Sequence, residues 1–308
     1  HFSFLRGASS AEELFGTASE MGMPALGVTD RNSVAGIVRS LVAARKVSEQ
    51  GNAIRLVAGC RLDLVSGASL LVWPEDLAGW SRLTRLLTLG KKRADPQRGE
   101  KGQCFLHWDD LADTQGLVGS LVPGIDGARA EELRWVADLF GSDRGHVCLT
   151  YHRRPGDRLR LHRTAEDAAR FGLQPLATGD VLYHEPDRRL LQDVVTAIRC
   201  KCTIDDLGLR RERSTDRCFV PPGTMERRFA DLPAAIRAGA AIIERCTFSP
   251  TELSYRYPDE IVMSGRTPQE ALERLARNAL ARLFEQPPFH GQPDPRYVEK
   301  LEYELEQV

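Results

Sequence analysis

The sequence predicts an α/β fold. Short apolar, β-like runs alternate with amphipathic helical segments between Glu12 and Arg199, as expected for repeated βα units around a parallel sheet, closed or open. Two of those runs end on an aspartate at a turn, Asp30 and Asp180. After about residue 203 the alternation gives way to charged and helical sequence, which marks a change of architecture.

The elements follow in order. Glu12 to Met21 reads as a helix, with Ser10 as N-cap and Glu13 three residues on completing a capping box. Ala25 to Thr29 reads as a buried strand ending on Asp30, and Ser33 to Val47 as the next helix. Ile54 to Ala58 is strand-like, and Arg61–Val65 and Leu70–Trp73 suit a two-stranded ribbon. Pro74 fits the first turn of a helix running to about Leu89, followed by a polar loop from Gly90 to Gln103. Strand-like Gly119–Val122, helical Arg129–Phe140, strand-like Val147–Thr150 and helical Asp157–Phe171 continue the alternation. Leu176 to Thr178 leads into Gly179-Asp180, and Arg188 to Arg199 is helical. Beyond it, Pro221-Pro222-Gly223 reads as a loop and Ala234 to Arg245 as a helix. Thr267-Pro268-Gln269-Glu270 opens another helix, with Thr267 as N-cap and Pro268 at the first helical position. The last helix places Tyr297, Val298, Leu301, Leu305 and Val308 on one face and has no stop signal, so the sequence reads as a fragment of a longer protein.

Composition narrows the function classes. The 308 residues are 42% hydrophobic and 28% charged, with a formal net charge of −1, which excludes a bulk cationic coat for nucleic acid. No apolar run approaches the roughly 18 residues that span a bilayer. Seven cysteines, an odd number at low density, read as reduced thiols of a cytoplasmic protein. Cys200 and Cys202 form the only close pair, and no second pair completes a zinc site.

Four kinds of chemistry can be tested on spacing. Asp30, Asp180, His107, His152 and His184 are the residue types that bind divalent metals, and carboxylates at strand ends can hold metals for phosphate-ester hydrolysis. No His-x-His or His-Glu-x-x-His is present, so the competing reading is an aspartate bracing a turn and surface or polar-core histidines. Ser33 and Ser120 lie near turns without a Gly-x-Ser-x-Gly signature. The glycines at 27–36 and 116–124 match no phosphate loop. Three basic clusters are candidates for contacts to DNA phosphates: Lys91, Lys92 and Arg93 with Arg98 and Lys101; Arg153 and Arg154 with Arg158, Arg160 and Arg163; Arg210 and Arg211 with Arg213 and Arg217. Acidic neighbours dilute each one and no aromatics interleave, so a solvated face is the simpler reading.

Four longer segments carry a resemblance. They are His1-Phe2-Ser3-Phe4-Leu5-Arg6-Gly7-Ala8-Ser9; Gly22 to Ser33 with Ala35-Gly36; Ala177 to His184 followed by Arg188-Arg189 and Leu191 to Arg199; and Phe248-Ser249 with Leu253 and Tyr255 to Glu260. Together and in this order they resemble the bacterial C-family DNA polymerases, and more closely their error-prone branch. The resemblance implies an N-terminal PHP (polymerase and histidinol phosphatase) domain over residues 1–255, a linker over 256–266, and the first helices of the polymerase palm over 267–308. The implied fold is a distorted α/β barrel of about seven βα units followed by the α-helical start of the palm. The parent reaction would be Mg2+-dependent DNA synthesis from dNTPs in damage-induced mutagenesis, with the sliding clamp and mutasome accessory proteins as partners and no membrane. The polymerase's catalytic carboxylates would lie beyond Val308, so no DNA synthesis, and no bound cofactor, is expected of this stretch.

Metal-binding members of the family use clustered histidines and acids. Their His-x-His pair would precede residue 1. Asp30 matches a ligand aspartate, but Arg31 stands where a histidine follows it. Arg61 stands in place of a glutamate. Asp180 matches the last aspartate, and Leu182 replaces a histidine. A guanidinium stays protonated and has no lone pair for a metal. The expectation is therefore a vestigial site, Asp30, Arg31, Arg61, Asp180 and Leu182, in which Arg61 neutralises Asp30 or Asp180 and the domain acts as a scaffold. The alternatives are an active metal-dependent phosphoesterase or 3′–5′ proofreading exonuclease, with Asp30, Asp180, His107 and His152 as ligands, and a DNA-binding module built on the basic clusters.

Overall fold

The computed structural model describes residues 3–98, 100, 102–254, 267–289 and 291–307. His1 and Phe2, Gly99, Lys101, the 256–266 linker with the whole Tyr255–Glu260 motif, His290 and Val308 lie outside the described residues. The chain divides into two compact units, residues 1–253 and 254–308.

The first unit is built on a six-stranded sheet with the strands in sequence order. Its strands are β1 (Ala25–Arg31), β2 (Arg55–Asp63), β3 (Ser69–Pro74), β4 (Leu117–Val122), β5 (Gly145–Thr150) and β6 (Gln174–Thr178). β1 and β2 pair in parallel, as do β4 with β5 and β5 with β6. β3 runs antiparallel to both its neighbours, so the sheet is mixed, not wholly parallel. The cause is local. The β2–β3 connection is a short turn through Gly67, whose φ is +87°, too short for the crossover that a parallel neighbour needs. The predicted ribbon is this hairpin, and its first strand is continuous with the run that begins near Ile54. The sheet accounts for six strands among the described residues where about seven βα units were expected.

Local sequence explains the helices. In α1 (Ala11–Glu20) the Glu13 N–H donates to Ser10 Oγ at 3.2 Å while Ser10 N–H donates to Glu13 Oε2 at 2.8 Å, the predicted capping box. α2 (Ile37–Glu49) packs on β2, and α3 (Leu77–Lys92) on β3. Pro74 closes β3 and does not open α3; the N-cap is Asp76, whose carboxylate accepts from Gly79 N–H at 2.8 Å. Proline's fixed φ suits a strand end as well as a helix start, but only Asp76 supplies a side-chain acceptor. α4 (Ala130–Arg144) packs on β4 and β5, and α5 (Asp157–Arg170) on β5 and β6. α6 (Arg189–Cys200) follows β6. Pro222 starts a short helix, α7 (Pro222–Arg228), where the sequence read a loop, because it sits at the first helical position after Pro221. α8 (Pro233–Arg245) completes the unit. No helix among the described residues is long and apolar enough to cross a membrane.

Strand alternation sorts the sheet into two faces. Cys60, Leu62, Leu70, Val72, Leu117, Leu121 and Val147 join α3 and α4 in one core. On the other face Val57, Trp73, Val118, Cys148 and Leu176 pack against Ala238, Ile242 and Cys246 from α8 and its C-cap. α8 therefore plugs one end of this inner face. Arg55 secures it by donating to the carbonyls of Ile243 and Cys246, a cation at a helix C-terminus. Arg245 pairs with Glu75, and with Asp143 at 2.8 Å. The other end of the inner face, toward the C-termini of the parallel strands, is left for the cavity described below.

In the second unit, α9 (Pro268–Glu285) carries the predicted Thr267–Glu270 capping box. Phe284 stacks near Phe289 and Tyr297, with ring centroids 4.7 and 5.5 Å apart, and Arg277 bridges to Glu302 at 2.8 Å, joining α9 to α10 (Pro295–Gln307).

Two glycines test this packing in opposite directions. A Cβ on Gly59 would lie 2.6 Å from Trp73 Cδ1, so Gly59→Ala is expected to lower stability by about 1–3 kcal/mol through overpacking. Gly16, inside α1, has open space around its Cβ position, and Gly16→Ala is expected to raise stability by about 0.5–1 kcal/mol. Urea denaturation of the two variants measures both signs.

Candidate functional site

The parallel register of β1 and β2 sets Arg31 opposite Arg61, and the period of two along β2 brings Asp63 to the same face as Arg61. The antiparallel register of β2 and β3 then sets Ser69 opposite Asp63. These placements make one network. Asp63 accepts from Arg31 Nη1 at 2.6 Å, from Arg61 Nε at 2.9 Å and from Ser69 Oγ at 2.6 Å, while Arg61 Nη2 donates to Ser69 Oγ at 3.0 Å. Asn32 closes the corner in the left-handed region, φ +47°, a conformation asparagine tolerates. Its side chain accepts from Asp63 N–H at 3.0 Å and donates to Asp63 C=O at 3.3 Å. Burial alone would raise the Asp63 carboxyl, but the Ser69 hydroxyl and the Arg31 and Arg61 guanidiniums outweigh it and hold the carboxyl below the usual range.

Arg61 therefore reaches neither Asp30 nor Asp180, contrary to the expectation that it would neutralise one of them. Two residues separate Arg61 from Asp63 on the same face, and that short path wins. Asp30 is buried and instead accepts from Ser3 Oγ at 2.7 Å, while the same oxygen accepts from Arg31 N–H at 2.9 Å. Asp180 follows β6 with φ +42° and is held by Arg217, whose Nη2 reaches its carboxylate at 2.6 Å and whose Nε reaches its carbonyl at 2.7 Å. Arg217 Nη1 also bonds Glu212 at 2.9 Å. Leu182 donates its N–H to Arg217 C=O at 2.8 Å and packs with Ala8, Tyr183 and Cys218.

The two aspartates, Arg31, Arg61 and Leu182 all line one cavity of about 690 Å³ at the C-terminal edge of β1, β5 and β6. His152 lines it too. Burial, then Arg160 and Arg217, press its pKa down, so the imidazole is neutral at pH 7. His107 does not line the cavity; it is exposed beside a 3-10 turn, where its N–H donates to Asp110 at 2.8 Å. His184 braces the chain: its Nδ1 lies 2.8 Å from Ser9 Oγ, and its N–H donates to that same oxygen at 3.0 Å. Cys148 sits on the cavity floor beside Ser120, and burial pushes its thiol up to about 12.

The donor set does not fit a divalent metal. Asp30 and Asp180 are engaged by a hydroxyl and a guanidinium, and Arg31, Arg61 and Leu182 offer no lone pair. Among the described residues no group of three or more His, Cys, Asp and Glu side chains is gathered for a metal ion.

The basic clusters are largely engaged elsewhere. Arg93 forks onto Asp110 at 2.5 and 2.6 Å. Arg153 pairs with Asp216, and Arg211 with Asp193 at 3.3 Å. Arg154 donates its backbone N–H to Asp157, and Arg210 caps the carbonyls of Asp206 and Leu207 at the cavity's edge. Lys91 and Lys92 stay exposed at the end of α3. Sequence reasoning missed Asp63, Ser3, Arg6 and Arg199 as site residues and singled out Arg217 only as part of a basic cluster. The period of two from Arg61 was a usable signal for Asp63. Arg217 and Arg199 reach the site from distant segments and carry no local signature.

Comparison with known proteins finds similarity along most of the chain. Residues 1–147 match the PHP domain. The chain is 52% identical over 275 residues to error-prone DNA polymerase 2 of Agrobacterium fabrum, covering 89% of this chain and 24% of that protein. It is 49% identical over 310 residues to error-prone DNA polymerase 2 of Rhizobium meliloti, covering 98% and 28%. It is 42% identical over 280 residues to an error-prone DNA polymerase of Caulobacter vibrioides, covering 89% and 25%. The chain thus spans about a quarter of the length of the curated relatives it matches. A solved amidohydrolase from Chromobacterium violaceum shares 14% identity and a TM-score of 0.43, over 58% of this chain and 84% of that one.

Asp63 gives the site a pH signature. Its lowered folded value means its contribution is fully present above the ordinary carboxyl value and is lost as pH falls through the folded one. Asp63→Asn is expected to cost about 1–2 kcal/mol at neutral pH, with the gap to the wild type closing below about pH 4. Urea midpoints measured across that range test it. Arg217→Met strips both Asp180 and Glu212 of their partner and is expected to cost about 1–3 kcal/mol, partly restored by Arg217→Lys; thermal denaturation reads the difference.

Proposed function

From a chain homologous over nearly its whole length to error-prone DNA polymerases, with a PHP domain over residues 1–147, we infer that it is the PHP portion of such a polymerase and serves there as a non-catalytic scaffold. The parent protein performs Mg2+-dependent, DNA-directed DNA synthesis from dNTPs. Residues 1–255 form the PHP domain and 267–308 the first helices of the palm. The sliding clamp and accessory proteins of damage-induced mutagenesis are its partners, and the cytoplasm its compartment.

The observation that carries the scaffold reading is the guanidinium network. Arg31 and Arg61 share Asp63, and Arg217 holds Asp180 and Glu212. A metal-dependent phosphoesterase needs carboxylates and imidazoles free to ligate and a cation-bound water as nucleophile. Here fixed cations hold carboxylates at the cavity and supply no nucleophile. Their chemistry is cross-linking: Arg217 ties the segment after β6 to residues 212–217, and Asp63 ties β1 to β2 and β3. Such links give rigidity to a domain that braces a larger enzyme.

Two assays separate this reading from its rivals. A protein containing this chain at the length of its relatives is expected to extend a primed template with Mg2+ and dNTPs, and this chain alone is not. With Mn2+ or Zn2+ added, this chain is expected to release no nucleotide from a 3′-labelled oligonucleotide. Metal-dependent release that disappears in Asp180→Asn would establish the exonuclease reading instead.

A further inference from the structure

Eight arginines line the cavity against four carboxylates, those of Glu12, Asp30, Asp180 and Glu212. The imbalance is concentrated on one side. Arg6, Arg31, Arg61 and Arg199 all line the cavity, and Arg31, Arg199 and Arg61 each oppose the charge on Arg6 while Asp63 favours it. Asp63 already serves both Arg31 and Arg61. Arg199 donates to Leu5 C=O at 3.2 Å. Arg6 has no hydrogen bond or ion pair with any described residue.

We propose that this cavity binds an oligophosphate anion, a di- or triphosphate chain, through Arg6, Arg31, Arg61 and Arg199 and without a metal ion. Four guanidiniums against two carboxylates, Asp63 and Asp30, leave an excess of about two positive charges. A phosphate monoester carries about −1.5 to −2 at neutral pH, and a chain of two or three phosphates adds the oxygens needed to engage four separate guanidiniums at once. Planar guanidinium forks suit phosphate oxygens geometrically as well as by charge. The volume of about 690 Å³ falls within the roughly 300–1,000 Å³ of small-molecule sites. The cavity's acids do not oppose such a ligand equally. Asp180 and Glu212 are both held by Arg217, Asp30 accepts the Ser3 hydroxyl, and Glu12 is exposed to solvent. Burial, and repulsion from Arg31 and Arg199, together draw the Arg6 guanidinium down to about 10. An anion would relieve that repulsion and stabilise the fold on binding. The inference rests on charge placement and stands apart from the scaffold reading.

Isothermal titration of the whole 308-residue chain with inorganic tripolyphosphate, in EDTA at low salt, tests it. Binding is expected, weaker for pyrophosphate, weakest for phosphate, and falling with added salt. Arg6→Gln and Arg199→Gln are each expected to weaken it about tenfold, Arg6→Lys to retain part of it, and Lys46→Gln on the exposed face of α2 to leave it unchanged. Circular dichroism of each variant separates lost binding from lost folding. Titration with dATP distinguishes sources: equal affinity assigns recognition to the phosphate chain, and a preference for dATP adds a base contact within the same site. Absence of binding by the folded wild type overturns the proposal. So does equal weakening by Lys46→Gln, or binding that requires added Mn2+ and survives loss of Arg6 and Arg199.

Discussion

The site depends on one carboxylate shared by two guanidiniums. Asp63 accepts from Arg31 and Arg61 at 2.6 and 2.9 Å, and from Ser69 at 2.6 Å. Those three bonds tie together three strands, two of them parallel and one antiparallel. Remove the carboxylate and two half-buried cations face each other across β1 and β2 with no counter-charge. A shared acceptor of this kind fixes strand register as well as charge, because a slip by one residue would turn Arg61 and Asp63 to the opposite face, into the core with Cys60 and Leu62. Electrostatics and register therefore enforce the same pairing.

Much of the fold was legible in the sequence because it is encoded locally. The Ser10–Glu13 and Thr267–Glu270 capping boxes and the β2–β3 ribbon rest on residues a few positions apart. Pro74 and Pro222 misled for the same reason that proline is informative: its fixed φ suits a strand end, a loop or a helix start, and only the neighbouring acceptor or its lack decides among them. At the site, Asp30, Arg61, Asp180 and Leu182 were legible as residues of one cavity. Their partners were not. Arg217 lies 37 positions from Asp180, and Ser3 lies 27 from Asp30. No periodicity connects such distances; only the closure of the unit does.

The two aspartates illustrate how the same residue type serves a different purpose when its neighbours change. Asp30 sits at a parallel strand's end and Asp180 just past one, where α/β folds gather their chemistry. With histidines and acids around them, such carboxylates suit a metal. With Arg31, Arg61 and Arg217 around them, the local potential is already positive, and a further cation would enter against repulsion. The left-handed backbone at Asn32 and Asp180 turns the chain at these two strand ends, and the cavity beside them combines a concave shape with a positive potential.

That potential is sharpened by what lies beneath. α8 and Trp73 fill the lower inner face with apolar side chains. Cys148, which feels both Asp180 and Arg61, is kept neutral by burial and adds no charge to offset either. The arginines above it can be balanced only by carboxylates already present or by an anion from solution. Three of the carboxylates are committed: Asp63 to two guanidiniums, and Asp180 and Glu212 together to a third. Plugging one end of the sheet with α8 thus does more than complete a core, because it confines the unbalanced charge to the end where solvent and solutes have access.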